Sequence, residues 1–282
     1  MQHLLPAPGV PWRMRKLACI VLILCPIALL PLTCAAQQNS AASRLAFARA
    51  TYYTPTNSGL NSFHCTASMD WKDLLTRFSG ADVPADSPLL AYLDTVQLSV
   101  NDDLRGNGSL QWTAATEPPV ALQPSVQKLR GGLEQMFSGF FQTWNVYMNG
   151  SMVPVPDSST TVTEVGDGVK LHGDTASMSI DELFDKNLLL TQAHVTQPSM
   201  DVVAYPTYID TPDGRVISSI RSTIHQPPTA PPIEVTISTT YSEVQTFRLP
   251  AQLTFAVQNV GTFILNLSEC KEQTSSKSAV KP

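Results

Sequence analysis

A strict alternation of apolar and polar residues runs from Phe63 to Trp71. The odd-numbered positions are apolar or small and the even-numbered positions are polar, so that the apolar set is Phe63, Cys65, Ala67, Met69 and Trp71. Because successive side chains of a β-strand point to opposite faces of its sheet, this pattern predicts a half-buried strand that begins near Ser62 and ends at Trp71. Phe63, Met69 and Trp71 would then face the interior on the same side as Cys65.

The same two-residue period returns in short segments along most of the chain. Alternating apolar residues flank the turn sequence NDDLRGNG and predict a hairpin; they are Val96, Leu98 and Val100 before the turn, and Leu110 and Trp112 after it. From residue 160 onward, further short runs predict strands that continue to Leu267, with a helical turn over residues 181–187 (DELFDKN). The pattern predicts ten or more antiparallel strands within one domain.

One long segment, residues 125–148, carries the helical period instead. Its apolar residues recur at spacings of three and four; they are Val126, Leu129, Leu133, Met136, Phe137, Phe140, Phe141, Trp144 and Tyr147. This spacing predicts an amphipathic helix with Ser125 as its N-cap and one wide aromatic face. Two interpretations of that face stay open: it packs on the sheet within a filled core, or it forms a lid over an apolar ligand. Shorter helical segments are predicted within residues 37–55, 74–78 and 89–93.

The first 36 residues have the three parts of a secretory signal peptide. A basic region precedes an apolar stretch from Leu17 to Leu32, and Cys34 and Ala36 supply the small side chains that a signal peptidase requires. We therefore expect cleavage after Ala36 or one residue earlier, export to the periplasm or envelope of a bacterium, and no membrane span in the mature chain. The alternative, an uncleaved anchor, is disfavoured because the apolar stretch is short for a span and contains two prolines. Thr33 also disfavours lipidation of Cys34, since Gly or Ala is usual at that position.

Cysteine usage predicts a covalent cross-link in the exported chain. Three of the five cysteines lie before residue 37, which leaves Cys65 and Cys270. An even number of cysteines in an oxidising compartment predicts a disulfide. Neither a zinc site nor a CxxC redox motif fits these two positions. The bridge would join the start of the sheet to its end.

Charge and motif content argue against several classes of function. Loss of the signal peptide removes three basic residues and no acidic ones, so the net charge goes from −5 to −8, which disfavours binding to nucleic acid and to anionic lipid surfaces. The chain has no GxSxG, HExxH, HxH or phosphate-binding motif. We therefore expect no enzymatic activity, no metal and no other cofactor. The acidic residues are expected to be solvated; they include Asp70, Asp73, Asp102, Asp103, Asp181, Glu182 and Asp185.

The order of these segments resembles that of the periplasmic outer-membrane lipoprotein carrier (LolA-like) family. An export signal and a short helix precede the strand sequence GLNSFHCTASMDW, and a helical insertion follows it. A terminal series of strands contains FRLP at residues 247–250, within the stretch from Tyr241 to Leu267 that carries most of the resemblance. The resemblance implies a strongly curved antiparallel sheet, an unclosed half-barrel covered by one major helix, with acyl chains held in its hollow.

The sequence thus predicts a mainly β protein with helices (α+β): a signal peptide over residues 1–36, one β-rich domain over 37–275 and a disordered tail over 276–282. The resemblance implies that this domain binds or carries a lipid or a lipidated protein, with an envelope protein as a further candidate partner. The residues expected to face the ligand are Phe63, Met69, Trp71, Trp112, Met136, Phe137, Phe140, Phe141 and Trp144. The alternative is a structural or interaction domain of the envelope with a filled core.

Overall fold

The computed structural model describes residues 43–105, 107–149, 153, 159–227 and 229–274, without the side chains of residue 142 and of residues 146–149. The predicted signal peptide, including Cys34, and the predicted tail lie outside the described residues. Four helices are described: α1 (residues 43–49), α2 (Trp71–Ser79), α3 (Pro88–Leu93) and α4 (Gln123–Asn149), together with a 3₁₀ turn, Pro55–Ser58. The predicted short helices and the long helix are therefore confirmed, with boundaries that differ by a few residues.

Strands make up about half of the chain. They are β1 (Leu60–Ser68), β2 (Val96–Asp102), β3 (Ser109–Ala114), β4 (Thr160–Val165), β5 (Gly168–Asp174), β6 (Ser179–Phe184), β7 (Leu190–Gln197), β8 (Met200–Thr211), β9 (Gly214–His225), β10 (Ile233–Val244), β11 (Phe247–Val257) and β12 (Gly261–Thr274). The predicted hairpin corresponds to β2 and β3, which pair antiparallel. The predicted mainly β character is confirmed.

All twelve strands form a single antiparallel sheet with the order β3-β2-β1-β12-β11-β10-β9-β8-β7-β6-β5-β4. The sheet is unclosed, and its two edge strands are β3 and β4. These edge strands follow one another in the sequence, and α4 lies in the segment that connects them. The longest described helix therefore starts near one edge of the sheet and leads to the other.

The helix α4 begins two residues before the predicted N-cap. Pro124 occupies its first turn, where the missing N–H of proline removes no helical hydrogen bond, and the amide of Val126 already donates to the carbonyl of Leu122. The aromatic face that follows is buried, with Phe137 and Phe141 fully enclosed. Burial of that face, rather than helix propensity, holds α4 against the sheet, since three glycines lie within it.

The buried side chains form two clusters, one at each part of the sheet. The larger cluster lies between α4 and the strands β1, β2, β3, β11 and β12, with contributions from α2 and α3. The smaller cluster lies between α1 and the strands β5 to β9, and its centre includes Leu45, Leu171 and Leu190. Tyr52 anchors this second cluster, because its hydroxyl donates to the carbonyl of Leu188 and accepts from the amide of Leu190.

Two local predictions are wrong. The first strand ends at Ser68, and Trp71 is instead the first residue of α2, because the Asp70 carboxylate caps that helix by accepting from the amide of Asp73. Residues 181–187 do not form a helical turn: β6 continues to Phe184 and pairs with both β5 and β7. A tight turn follows, in which the Asp185 carboxylate accepts from two backbone amides.

The predicted disulfide between Cys65 and Cys270 is confirmed. The cysteines lie on β1 and β12, which are hydrogen-bonded neighbours, with a bulge in the pairing beside Cys65 where Glu269 adopts a positive φ of 50°. The bridge therefore links two adjacent strands inside the sheet. As predicted, it joins the first strand of the chain to the last, and these two strands are neighbours in the interior of the sheet, whose edges are β3 and β4.

Candidate functional site

Seven of the nine residues predicted to face a ligand are aromatic side chains, and all seven are at most 9 % exposed. Phe63 of β1 meets the α4 rings of Phe141 and Trp144 edge to face, with centroids 6.4 and 5.9 Å apart. Trp71 and Trp112 contact each other at 5.4 Å. These rings fill the space between α4 and the strands on their side of the sheet.

A second layer of rings connects α4 to β11 and β12. Phe137 and Phe140 both pack edge to face on Phe255, at 5.1 and 5.9 Å. Phe255 in turn stacks on Phe263, with centroids 5.1 Å apart and the ring planes 5° from parallel. Aromatic pairs in these geometries contribute about 0.5–1.5 kcal/mol each beyond the area they bury, so this layer fixes the position of α4 over the sheet.

The open apolar space lies beside this core. A cleft of about 700 Å³ runs between the first half of α4, the helices α2 and α3, and the β11–β12 hairpin. It lies on the same side of the sheet as the aromatic core, because Phe263 borders both and Val257 shares its side of β11 with Phe255. Met136 lines this cleft and is the one residue among the nine that does so.

The helix α2 contributes the apolar wall nearest to solvent. Trp71 and Leu74 are buried in the core, whereas Leu75 and Phe78, each one turn further along the helix, line the cleft. Phe78 is 51 % exposed, although its ring still contacts Phe263 at 6.1 Å. An exposed phenylalanine at the mouth of an apolar cleft is an attractive contact for a ligand.

The opposite wall comes from one face of α4. Its cleft-lining residues recur at helical spacing; they are Ser125, Lys128, Leu129, Gly132, Leu133 and Met136. Gly132 has no side chain to occupy the cleft, and a Cβ at this position would meet no atom within 4 Å. The glycine therefore leaves open space beside this part of α4. Val260, at the tip of the β11–β12 hairpin and 37 % exposed, closes the third side.

The polar atoms of the cleft lie at its rim. Lys128 is the sole charged residue among the described residues that line it, and Ser79 and Ser125 supply hydroxyl groups. Lys128 is exposed, and among the described residues it has neither an ion-pair partner nor a side-chain hydrogen bond. The cleft therefore combines an apolar interior with one unpaired cation.

A smaller cavity of about 220 Å³ contains Met69, the remaining predicted ligand-facing residue, together with Asp70 and Asp73. Both carboxylates already have partners: Asp70 caps α2, and Asp73 accepts from Arg77 at 2.7 Å. This cavity is too small for a lipid chain with its headgroup, and its polar groups are engaged in holding α2 in place.

Two acidic residues depart from the expectation that all of them are solvated: burial raises the pKa of Glu182 on β6 to about 7, and Asp102 is enclosed more fully. Asp102, the last residue of β2, is 1 % exposed, and its Oδ1 accepts from the Asn145 side-chain amide at 2.8 Å and from the Leu104 backbone amide at 2.7 Å. Within the described part of the chain, its Oδ2 and the Asn145 Oδ1 have no hydrogen-bond partner. Burial raises the pKa of Asp102 to about 6, against the opposing effect of the hydrogen bond from Asn145.

Two histidines on the opposite side of the sheet, His172 and His194, are paired with carboxylates. His172 contacts Asp181 at 2.8 Å and Asp174 at 3.0 Å, and His194 contacts Asp201 at 2.7 Å. Hydrogen bonds to Asp181 and Asp174 raise the pKa of His172. No three His, Cys, Asp or Glu side chains in the described part of the chain are arranged to hold a metal ion.

Comparisons of the chain with protein-family models, with curated proteins and with solved structures find no match. No helix among the described residues has both the length and the apolar character that crossing a bilayer requires. The cleft is therefore the feature of the molecule from which we infer a function.

Proposed function

We propose that this protein is an exported, non-enzymatic envelope protein that binds the acyl chain of a lipid or of a lipidated protein in the cleft between α2, α4 and the β11–β12 hairpin. The observation that carries the proposal is the volume of about 700 Å³ behind an exposed Phe78. That volume falls within the range of about 300–1,000 Å³ that is typical of small-molecule sites, and apolar walls with few polar atoms are typical of them as well.

The energetics of chain burial support an acyl ligand. Each methylene transferred from water contributes about 0.8 kcal/mol, so ten buried methylenes supply about 8 kcal/mol before the cost of ordering the chain. Such a site needs neither a catalytic group nor a metal. The apolar contacts of Leu129, Leu133 and Met136 give affinity without requiring a precise ligand length.

We propose further that the sheet is curved into a half-barrel of the lipoprotein-carrier type, with α4 over its hollow side. Three contacts support this arrangement: α4 packs on the edge strand β3, on β1 through Phe63 and on β11 through Phe255. One helix contacts three strands of the same sheet, and its two ends lead to opposite edges of that sheet. This arrangement favours a sheet that curves around the helix. The role as a carrier of lipidated proteins is the part of this proposal that follows from the resemblance.

A second candidate function follows from the aromatic core. The seven buried rings described above leave no space among themselves, which favours a structural or interaction domain whose core needs no ligand. The two candidates differ in what the cleft does: it is a binding site in the first, and a surface groove without a ligand in the second.

Binding of a dansyl-labelled undecanoic acid to the purified protein tests the proposal, with two neighbouring glycines of α4 as a matched pair. Gly132 lines the cleft and Gly131 does not, and a Cβ at either position meets no atom within 4 Å. Gly132→Leu places a side chain in the cleft and is expected to weaken binding at least tenfold, whereas Gly131→Leu leaves it unchanged.

Absence of binding to the unmodified protein overturns the proposal, and so does an equal effect of the two variants. Native mass spectrometry of protein isolated from the envelope adds an independent measurement, because a co-purified lipid would appear as a defined mass increment. Amino-terminal sequencing of the same preparation tests export, with residue 37 expected as the first residue.

A further inference from the structure

We propose that the ligand of the cleft is a single-chain amphiphile with an anionic headgroup, which Lys128 contacts at the rim. This inference rests on the proposed function, since it names the chemical class of the molecule that the apolar cleft takes up. The structural basis is the position of one unpaired cation at the border between an apolar interior and solvent.

The neighbouring cations on α2 and α4 each have an ion-pair partner. On α4, Arg130 contacts Glu134 at 2.7 Å, and on α2, Arg77 contacts Asp73 at 2.7 Å and Lys72 contacts Asp82 at 3.7 Å. Lys128 has no such partner among the described residues. A free ammonium group therefore remains available to a ligand at this place.

No acidic side chain among the described residues lines the cleft. The nearest acidic residue of α4, Glu134, is engaged with Arg130, and on α2 Asp73 is engaged with Arg77. An anionic group at the rim would thus face Lys128 without a carboxylate to repel it. A cationic headgroup would find only Lys128 and two serine hydroxyls, which disfavours it.

The helix itself favours the same sign of charge. Ser125 and Lys128 lie in the first two turns of α4, which begins at Gln123. The amino-terminal end of a helix carries a partial positive charge that stabilises nearby anions. Lys128, the serine hydroxyl and the helix end therefore act on an anionic headgroup in the same direction.

The acidic net charge of the chain, −5 in total and −8 without the signal peptide, disfavours adsorption to an anionic membrane surface. The interaction at Lys128 is local and involves one headgroup, whose chain lies among Leu129, Leu133 and Met136. The ligand is therefore a single amphiphile removed from its membrane, and the chain and the headgroup make separate contributions to its affinity.

Competition for the labelled fatty acid separates these contributions. The competitors are myristate, myristoyl lysophosphatidate and the uncharged monomyristoylglycerol, which share one chain; inorganic phosphate supplies a headgroup without a chain. The unmodified protein is expected to prefer both anionic amphiphiles over the neutral one by up to about fivefold, the upper end of the range of an exposed ion pair. Inorganic phosphate is expected not to compete.

Lys128→Gln is expected to abolish this preference by weakening the binding of the two anionic amphiphiles, and Lys128→Glu is expected to reverse it. Arg130→Gln is the matched control, since Arg130 lies on the same helix but not in the cleft, and the preference should persist. Equal affinity of the unmodified protein for charged and neutral amphiphiles overturns the inference and leaves the proposed function intact. An equal loss in the two glutamine variants also overturns it, while failure of every amphiphile to compete overturns the proposed function itself.

Discussion

The side-chain amide of Asn145 on α4 donates a hydrogen bond to the carboxylate of Asp102 at the end of β2, across 2.8 Å, in a place from which solvent is excluded. This contact and the longer one from Trp144 Nε1 to the Tyr241 hydroxyl, at 3.4 Å, are polar links between α4 and the strands beneath it. The Asp102–Asn145 contact is also incomplete, because each side chain keeps one oxygen that has no hydrogen bond with any of the described residues. Buried polar atoms without partners cost stability, so this pair is a weak point in an otherwise apolar interface.

The Asp102–Asn145 pair makes stability depend on pH. Because burial raises the pKa of Asp102 to about 6 in the folded protein, the folded state binds a proton more tightly than the unfolded chain, in which an aspartate has a pKa of about 3.9. The free energy of unfolding therefore rises as the pH falls through 6 and stops rising near 4. Asp102→Asn, which cannot ionise and supplies a donor to Asn145, is expected to stabilise the protein by about 1–3 kcal/mol at pH 7 and by little at pH 4.

Urea unfolding of both proteins at several pH values measures this difference. Glu182, whose pKa burial raises to about 7, adds its own pH dependence to both proteins, so the difference between them is the informative quantity. A variant that is less stable than the original chain at pH 7 would contradict the prediction.

The Cys65–Cys270 disulfide closes a loop of 205 residues, and its loss is expected to lower the free energy of unfolding. In the chain-entropy model a loop of this length contributes on the order of 5 kcal/mol. The double variant Cys65→Ala/Cys270→Ala should therefore unfold at a clearly lower urea concentration. Dithiothreitol should destabilise the original protein to a similar extent and leave the variant unaffected; two free thiols in the denatured, unreduced, processed protein would refute the cross-link.

Gly108 lies where the chain enters β3, directly beneath α4. A Cβ at this position would collide with the side chain of Phe141 and lie 3.0 Å from Oδ2 of Asp102. Gly108→Ala is therefore expected to destabilise the protein by about 1–3 kcal/mol through overpacking. Gly131→Ala in α4 is the control, since it has open space around it and should stabilise by about 0.5–1 kcal/mol. Thermal unfolding measures the change in melting temperature of each variant. Equal changes in the two variants would contradict the close packing of Gly108 against Phe141.

The Tyr52 hydroxyl holds α1 to the second cluster through its two backbone hydrogen bonds, at 3.2 and 3.1 Å. Tyr52→Phe leaves two buried backbone groups without this partner and is expected to cost about 1–3 kcal/mol. Tyr205→Phe, at a partly exposed position, should change stability little. Binding of the labelled fatty acid should be the same in both variants, because the cleft lies in the other part of the sheet; reduced binding in Tyr52→Phe alone would show that the two parts are coupled.

Local periodicity was sufficient to predict much of the fold. The alternation around Phe63 predicted β1, and the three- and four-residue spacing from Val126 to Trp144 predicted α4, because both patterns reflect one buried face. The disulfide followed from the count of cysteines outside the predicted signal peptide. The alternation continues beyond the end of the strand, and there it gave a wrong prediction. Trp71 is apolar and odd-numbered like Phe63, but it lies in the helix α2, which Asp70 caps.

The cleft could not be predicted in the same way. Its walls come from four elements that are distant in the sequence, and Phe78, Lys128 and Val260 become neighbours only through the order of the sheet. The sequence of α2 nevertheless indicated an additional apolar surface, because its apolar residues extend further along the helix than the burial of Trp71 and Leu74 requires. The sequence also indicated the burial of Asp102, since this residue takes the next inward position after Leu98 and Val100 on β2.

The position of β12 between β1 and β11 has a consequence for how this chain folds. The unit β1–β3 contacts the rest of the sheet through a strand that begins only at Gly261, so a ribosome has made most of the protein before the two parts of the sheet can be joined. Contacts of such long sequence separation form slowly. A nascent chain of this design therefore has an incomplete sheet until β12 is synthesised.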